Sequence, residues 1–131
     1  MGGWFWLGAL WGLLLPSWAL AEGEVVRQVA ATAYTLRESE TKKGNIGLAA
    51  WGDQLTPGMK AIAVSRDLIE QGLTHGTRVT IDGLEGEYVV RDKMHRRWKN
   101  KIDIFMGHDV QGALEWGRRT VVIRYQHPSS P

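Results

Sequence analysis

The chain lacks the residues and patterns that most often define a chemistry at once. None of its 131 residues is cysteine, which excludes disulfide bonds, a lipoprotein anchor and thiolate metal sites. Its histidines show no recognised ligand spacing, so we expect no metal and no other cofactor. These histidines are His75, His95, His108 and His127. No serine stands in a nucleophile-elbow context, and the chain has no internal repeat or low-complexity segment. The chemistry left open is that of carboxylates, aromatic rings and basic side chains.

The net charge of +2 is too small to indicate a partner, but the basic residues are unevenly distributed. Asp92 is the only acid in a segment that carries Arg91, Lys93, Arg96, Arg97, Lys99 and Lys101. Such a patch can meet an anionic polymer, or it can be a solvated loop.

Residues 1–21 are predicted to be a secretory signal peptide. The stretch from Trp4 to Leu15 is almost wholly apolar, and Pro16 interrupts it. Ala19-Leu20-Ala21 then has the small-x-small pattern of a cleavage site, with an uncleaved anchor as the alternative. Export would place the protein in the periplasm or cell envelope of a bacterium. We expect peptidoglycan rather than nucleic acid as the partner there, and no transmembrane domain in the mature chain; the oligomeric state stays open.

Residues 22–131 are predicted to be one small domain of short strands separated by glycine-containing turns. The predicted strands are 25–34, 60–64, 77–81, 87–91, 101–106 and 119–125, with a polar loop over 35–47. Many short strands with few helices predict an all-β fold, a small β-barrel.

Two short helices are also predicted. Ser65 is the expected N-cap of the first, which Gly72 ends. Asp109 is the expected N-cap of the second, and Gly117 ends it. Its inward stripe would be Val110, Ala113 and Leu114, and Trp116 would pack in the core.

Asp103 is an acid in the middle of the apolar run 102–106. Burying a carboxylate is costly unless it is paired, hydrogen-bonded or protonated. A protonated acid would suit cleavage of a glycosidic bond. The structural alternative is a carboxylate that accepts backbone N–H bonds or pairs with Arg118 or Arg119. Strand alternation predicts that Asp103 faces away from its apolar neighbours, towards a surface groove.

An ordered set of short motifs resembles the 3D (three-aspartate) domain family of cell-wall enzymes. The motifs are Ala31-Thr32-Ala33-Tyr34, Ala61-Ile62-Ala63-Val64, Gly76-Thr77-x-Val79, Val89-Val90-x-Asp92, Ile102-Asp103-Ile104-Phe105 and Trp116-Gly117-Arg118-Arg119. The chain is similar in this order to the catalytic domain of membrane-bound lytic transglycosylase A and related muralytic proteins. The resemblance implies a six-stranded double-psi β-barrel that cleaves the MurNAc–GlcNAc bond of peptidoglycan to a 1,6-anhydro product.

The resemblance implies that Asp103 is the catalytic acid and then base, with Asp92 as its partner. Asp92 can position Asp103 or bind a sugar hydroxyl, or it can activate water if the protein is a hydrolase; an ion pair with Arg91 or Lys93 is the structural alternative. The candidate substrate-binding residues are Trp51, Trp98, Arg96, Arg97, Arg118 and Arg119. Each tryptophan lies in a predicted loop, where it can stack on sugar or fold back onto the core.

A non-catalytic peptidoglycan- or glycan-binding barrel is the alternative function. The chain is similar in this respect to expansin-like double-psi barrels, which bind or loosen polysaccharide without clear cleavage. Ser65, where the 3D family often has an aspartate, and the bulky basic segment 93–98 favour this alternative.

Overall fold

The computed structural model describes residues 23–39 and 45–128. The predicted signal peptide, residues 1–21, lies outside the described residues. The described residues form strands β1 Glu24–Tyr34, β2 Ala61–Val64, β3 Arg78–Ile81, β4 Glu87–Lys93, β5 Lys101–Phe105 and β6 Arg119–Gln126, and helices α1 Leu36–Ser39, α2 Arg66–Ile69 and α3 Val110–Trp116. All six predicted strands and both predicted helices are present, with shifted ends, and α1 lies in the segment predicted as a loop.

The six strands close into a barrel in the order β1-β5-β2-β4-β3-β6. The β1–β5 and β2–β4 pairs are parallel, and the other four pairs are antiparallel. Closure leaves no strand of the barrel with an unpaired edge, which removes a site for aggregation. The predicted all-β, six-stranded double-psi β-barrel is confirmed. No helix within the described ranges has the length and apolarity needed to cross a bilayer.

Alternate residues of the strands fill the barrel. In β5, Ile102 and Ile104 point inward and are almost completely buried. Lys101, Asp103 and Phe105 therefore lie on the outer face of the barrel. The core consists of Val29, Ala31, Ile62, Val64, Leu68, Leu73, Val79, Ile81, Tyr88, Val90, Ile102, Ile104, Val121, Ile123 and Tyr125.

A second, smaller apolar cluster covers part of the outer face. It contains Leu36, Ala49, Leu55, Ala61 and Phe105, with Tyr34 and Met59 packed against it. Two of these residues, Ala49 and Leu55, belong to residues 45–55, which we call the Trp51 loop. The Gly47 carbonyl closes this loop by accepting the N–H of Leu55 at 2.8 Å. Gly47 has a φ of +82°, and a Cβ there would lie 2.7 Å from the Leu55 carbonyl oxygen. The position therefore requires glycine, and the loop is held against β5.

The helix ends follow the predictions in part. Asp109 caps α3 by accepting the N–H of Gly112 at 2.8 Å, as predicted. Ser65 precedes α2 but makes no side-chain capping bond to it. Its hydroxyl instead accepts the N–H of Lys101 at 3.0 Å, which ties the start of α2 to β5.

The predicted inward stripe of α3 is wrong at Leu114. This side chain is 72% exposed, because α3 contacts the barrel mainly through its other faces. Trp116 packs against the core as predicted, and its Nε1 donates to the Ala31 carbonyl at 3.2 Å.

Candidate functional site

Four residues of neighbouring strands form one lateral row, which we call the acidic row: Thr32, Asp103, Ala63 and Asp92. Thr32 is opposite Asp103 in the β1–β5 pair. Ala63 is opposite Asp103 in the β2–β5 pair and opposite Asp92 in the β2–β4 pair. Directly paired residues project from the same face of a sheet, and the neighbours of Ala63 along β2 fill the core. The acidic row therefore lies on the outer face of the barrel.

A β-bulge at Arg91 puts Asp92 in this row. Ile62 is paired with Val90, but the next residue of β2, Ala63, is paired with Asp92. Arg91 is thus the extra residue of β4. In a regular register Ala63 would face Arg91, and Asp92 would point with Val90 towards the core. The bulge moves the carboxylate of Asp92 from the core side to the side of Asp103.

Asp92 is held by backbone amides. It is only 5% exposed, and its Oδ1 accepts the N–H of Ala50 at 2.8 Å and that of Lys93 at 2.9 Å. Arg91, one of the partners considered for it, pairs instead with Asp53 at 3.0 Å. Asp92 therefore anchors the Trp51 loop to β4.

Asp103 has a more accessible environment. Its side chain is half-buried, and its Oδ1 accepts a hydrogen bond from the Thr32 hydroxyl at 3.0 Å. It faces away from Ile102 and Ile104, as strand alternation predicts. Asp103 also acts electrostatically on Lys101, which lies two residues away on the same face of β5.

Tyr34 stands next to both carboxylates. Burial, and then the negative charges of Asp92 and Asp103, raise the pKa of Tyr34 well above its usual range. Its hydroxyl is buried and has no hydrogen-bond partner among the described residues. Its ring packs at 5.4 Å from that of Phe105 in the second cluster. The phenol thus remains protonated and is a potential donor at the end of the acidic row.

Positive charges gather on the other side of Asp103, in a group that we call the basic cradle: Arg97, Trp98, Lys101 and Arg118. The Lys101 ammonium lies 3.7 Å from the centroid of the Trp98 ring, and the Arg97 guanidinium lies 5.1 Å from it. Burial lowers the pKa of Lys101. The negative charge of Asp103 opposes this effect, and the positive charges of Arg118 and Arg97 add to it. The structure therefore brings three predicted substrate-binding residues, Trp98, Arg97 and Arg118, together around Lys101.

Asn100 sets the start of β5 beneath the basic cradle. It has a φ of 47°, a left-handed conformation that asparagine tolerates better than most residues. Its N–H donates to Asp67 at 2.9 Å, and its side chain donates to the Gln28 carbonyl at 3.0 Å. Contacts to α2 and β1 thus fix the chain where it turns towards Lys101.

Trp51 lies near the other end of the acidic row. Its half-buried ring packs 5.0 Å from the His75 ring, and the Lys93 ammonium lies 5.5 Å from its centroid. His75 Nε2 bonds Asp53 at 2.7 Å, and Arg91 donates to the same carboxylate. Burial would raise the pKa of Asp53, but the hydrogen bonds and charges of His75 and Arg91 outweigh it and lower that pKa. These contacts hold the Trp51 loop in place.

Two of the predicted substrate-binding residues lie apart from these clusters. The Arg119 guanidinium stacks on Trp116, 3.9 Å from the ring centroid, and its Nε donates to the Trp116 carbonyl at 3.1 Å. Arg119 is therefore engaged by the end of α3. Arg96 is an exposed residue of the turn before Trp98.

Four residues of the site were not predicted from the sequence: Thr32, Tyr34, Ala63 and Lys101. The pattern 31–34 carried a usable signal, because alternation in a strand puts Thr32 and Tyr34 on one face. Ala63 and Lys101 had no such signal, since their importance depends on which strands pair. No group of three or more metal-ligating side chains is found in the described part of the chain.

No protein-family model and no curated protein matches the chain. Among solved structures, the barrel is similar to apo-expansin of Clavibacter michiganensis, with a TM-score of 0.52 and 18% identity over 82% of this chain and 53% of that chain. The two share the double-psi barrel fold. A mutant of the same expansin in complex with cellohexaose is similar with a TM-score of 0.46 and 18% identity, over 82% of this chain and 54% of that chain. The chain thus spans about half the length of each expansin, and at this identity the likeness concerns the fold alone.

Proposed function

We propose that the domain binds glycan strands of peptidoglycan across the acidic row without cleaving them. The observation that carries this proposal is the position of Asp103 and Asp92 on either side of Ala63. Ala63 and Asp92 are each only 5% exposed, so the half-buried Asp103 is the carboxylate of the row that can accept hydrogen bonds from sugar hydroxyls. Trp98, beside Lys101, and Trp51, beside Lys93, add aromatic surface for sugar rings. The fold shared with an expansin is in keeping with this function.

The environments of the two carboxylates favour binding over cleavage. An acid catalyst must direct its proton at the glycosidic oxygen, whereas Oδ1 of Asp103 is engaged by the Thr32 hydroxyl at 3.0 Å. A hydrolase needs a second carboxylate to activate water or attack the sugar. Asp92 is almost fully buried and engaged by two backbone amides, which suits a positioning role better.

The proposed location is the bacterial cell envelope. The predicted signal peptide would deliver the domain there, and peptidoglycan is the abundant anionic glycan of that compartment. The partner proposed is therefore the peptidoglycan strand itself.

Co-sedimentation with purified peptidoglycan sacculi tests the proposal. We expect wild type to bind, and Asp103→Asn to bind about tenfold more weakly because a charged acceptor for sugar hydroxyls is lost. Asp82→Asn is the matched control: Asp82 is an exposed acid at the end of β3, where it pairs with Arg124. Equal binding by all three proteins, or none by wild type, would reject the proposal.

A lytic transglycosylase is the second candidate, favoured by the accessibility of Asp103 in a row shared with Asp92. Protonated Asp103 would give its proton to the glycosidic oxygen as the bond to C1 of MurNAc breaks. The resulting carboxylate would take the proton of the C6 hydroxyl as that oxygen attacks C1, closing the 1,6-anhydro ring. Mass spectrometry of the sacculi supernatant decides this: 1,6-anhydro muropeptides made by wild type and lost in Asp103→Asn would establish the enzyme, and reducing-end products would indicate a hydrolase.

A further inference from the structure

We infer that the basic cradle of Arg97, Trp98, Lys101 and Arg118 is a carboxylate subsite, which makes the domain selective for acidic over neutral glycans. The subsite would take a carboxylate carried by a sugar polymer, next to the hydroxyl-binding acidic row. This inference rests on the proposed function for its location, and it adds the chemical class of the ligand.

The convergence of cations on one aromatic ring supports this inference. The Lys101 ammonium and the Arg97 guanidinium lie 3.7 Å and 5.1 Å from the centroid of the Trp98 ring, and Arg118 and Asp103 also act on the charge of Lys101. Like charges that converge at a partly dry site repel one another, and desolvation adds to the cost. A ligand carboxylate would offset both, because it brings a negative charge to donors that are already assembled.

The cradle is also rigid at its centre. Lys101 is only 6% exposed, its backbone N–H donates to the Ser65 hydroxyl, and its ammonium lies 3.7 Å from the centroid of the Trp98 ring. A long lysine side chain normally loses much rotamer freedom on binding, whereas this one has lost it already. Arg118 is exposed and supplies a planar group suited to bidentate contact with a carboxylate.

The geometry next to Asp103 then defines a pattern in the ligand. Lys101 and Asp103 lie two residues apart on the same face of β5. A bound polymer would present hydroxyls to the acidic row and a carboxylate to the basic cradle. Muramyl lactyl or peptide carboxylates and uronic acids both have the required chemistry.

Binding should be measured by co-sedimentation with sacculi, and by titration with polygalacturonate and neutral chitohexaose. Sacculi and polygalacturonate are each used native and after carbodiimide amidation, which removes carboxylates and keeps the sugar chain. Lys101→Met retains packing on Trp98 without the charge, and Arg118→Gln changes an exposed residue. Arg78→Gln is the matched control, since it removes one cation from β3, which is opposite β5 in the barrel order.

We expect native sacculi to bind about tenfold more tightly than amidated sacculi, the amount expected for one charge-assisted contact. Lys101→Met and Arg118→Gln should each lower binding to native sacculi towards the amidated level, whereas Arg78→Gln should resemble wild type. Equal binding of native and amidated polymers, or equal losses in all three variants, would overturn the inference while the glycan-binding proposal stands. Selective binding of polygalacturonate alone would support the subsite and reject peptidoglycan as the ligand. No binding to any of the glycans would overturn both.

Discussion

Asp92 and Asp103 lie in one lateral row of the barrel, on either side of the strand that carries Ala63. Strands are about 4.8 Å apart, so the backbones of the two aspartates are separated by about 10 Å. Asp92 is buried and bound by amides, whereas Asp103 is half-buried and bound by a hydroxyl. The two acids therefore have separate environments: Asp92 ties the Trp51 loop to β4, and Asp103 is the more accessible of the two.

This division predicts different stability effects for the two amide substitutions. Asp92→Asn should lower the free energy of unfolding by about 1–3 kcal/mol, because two amides lose a charged acceptor at a buried position. Asp103→Asn should change it by less than about 1 kcal/mol. Urea denaturation measures both, and hydrogen exchange should be faster at the Ala50 and Lys93 amides in Asp92→Asn alone. Equal destabilisation by the two changes would contradict the assignment.

Tyr34→Phe should leave stability unchanged or raise it by about 1 kcal/mol. The phenol hydroxyl is buried beside two carboxylates and has no partner among the described residues, so its removal relieves a desolvation cost. Phenylalanine retains the ring packing on Phe105. Thermal and urea unfolding provide the measurement. A loss of stability above about 1 kcal/mol would mean that the hydroxyl makes a bond that matters for folding.

Asp53 should make stability depend on pH in the acid range. Its folded pKa is lowered below the ordinary value of 3.8, so the unfolded chain takes up the proton first as the pH falls. The stabilisation is complete above 3.8 and is lost as the pH falls through the lower, folded pKa. Asp53→Asn should thus be less stable than wild type at neutral pH, and the difference should disappear in strong acid. Urea titrations at a series of pH values test this, and a constant difference would be the contrary result.

Lys101→Met should be neutral or stabilising by about 1 kcal/mol at pH 7, because it removes a charge whose burial is unfavourable. The lowered pKa of Lys101 gives the sign: the unfolded chain holds this proton more tightly, so wild type gains stability as the pH rises towards the ordinary value of 10.5. The advantage of methionine should therefore shrink in alkali. Chemical denaturation at neutral and alkaline pH checks it, and strong destabilisation at pH 7 would show that the ammonium is needed for folding.

The six strands and two of the helices could be predicted from the sequence, because they depend on local patterns. Alternation places Ile102 and Ile104 inward and Asp103 outward whatever the partner strand is. The cap at Asp109 likewise depends on a contact three residues away. The closed six-stranded order was available only through the resemblance, since pairing between distant strands leaves little local trace.

The site could be predicted less completely, because it depends on register and on loops. The bulge at Arg91 decides which side Asp92 faces, and it exists only relative to β2. Arg118 and Arg119 are adjacent in sequence, yet one lies near Lys101 and the other stacks on Trp116. Ser65 has the sequence context of an N-cap, but the approach of β5 gives its hydroxyl another partner. Tertiary contacts, which local sequence does not show, determine the partner of each of these side chains.

The most direct test of the central claim is an NMR titration of the ¹⁵N-labelled mature domain with soluble peptidoglycan fragments. We predict that the largest amide shifts occur at Thr32, Ala63, Asp92 and Asp103, with smaller shifts around Lys101 and none at Thr80 and Arg124 on β3 and β6. The fragments should be recovered uncleaved. Shifts centred on β3 and β6, with the acidic row unperturbed, would contradict the account.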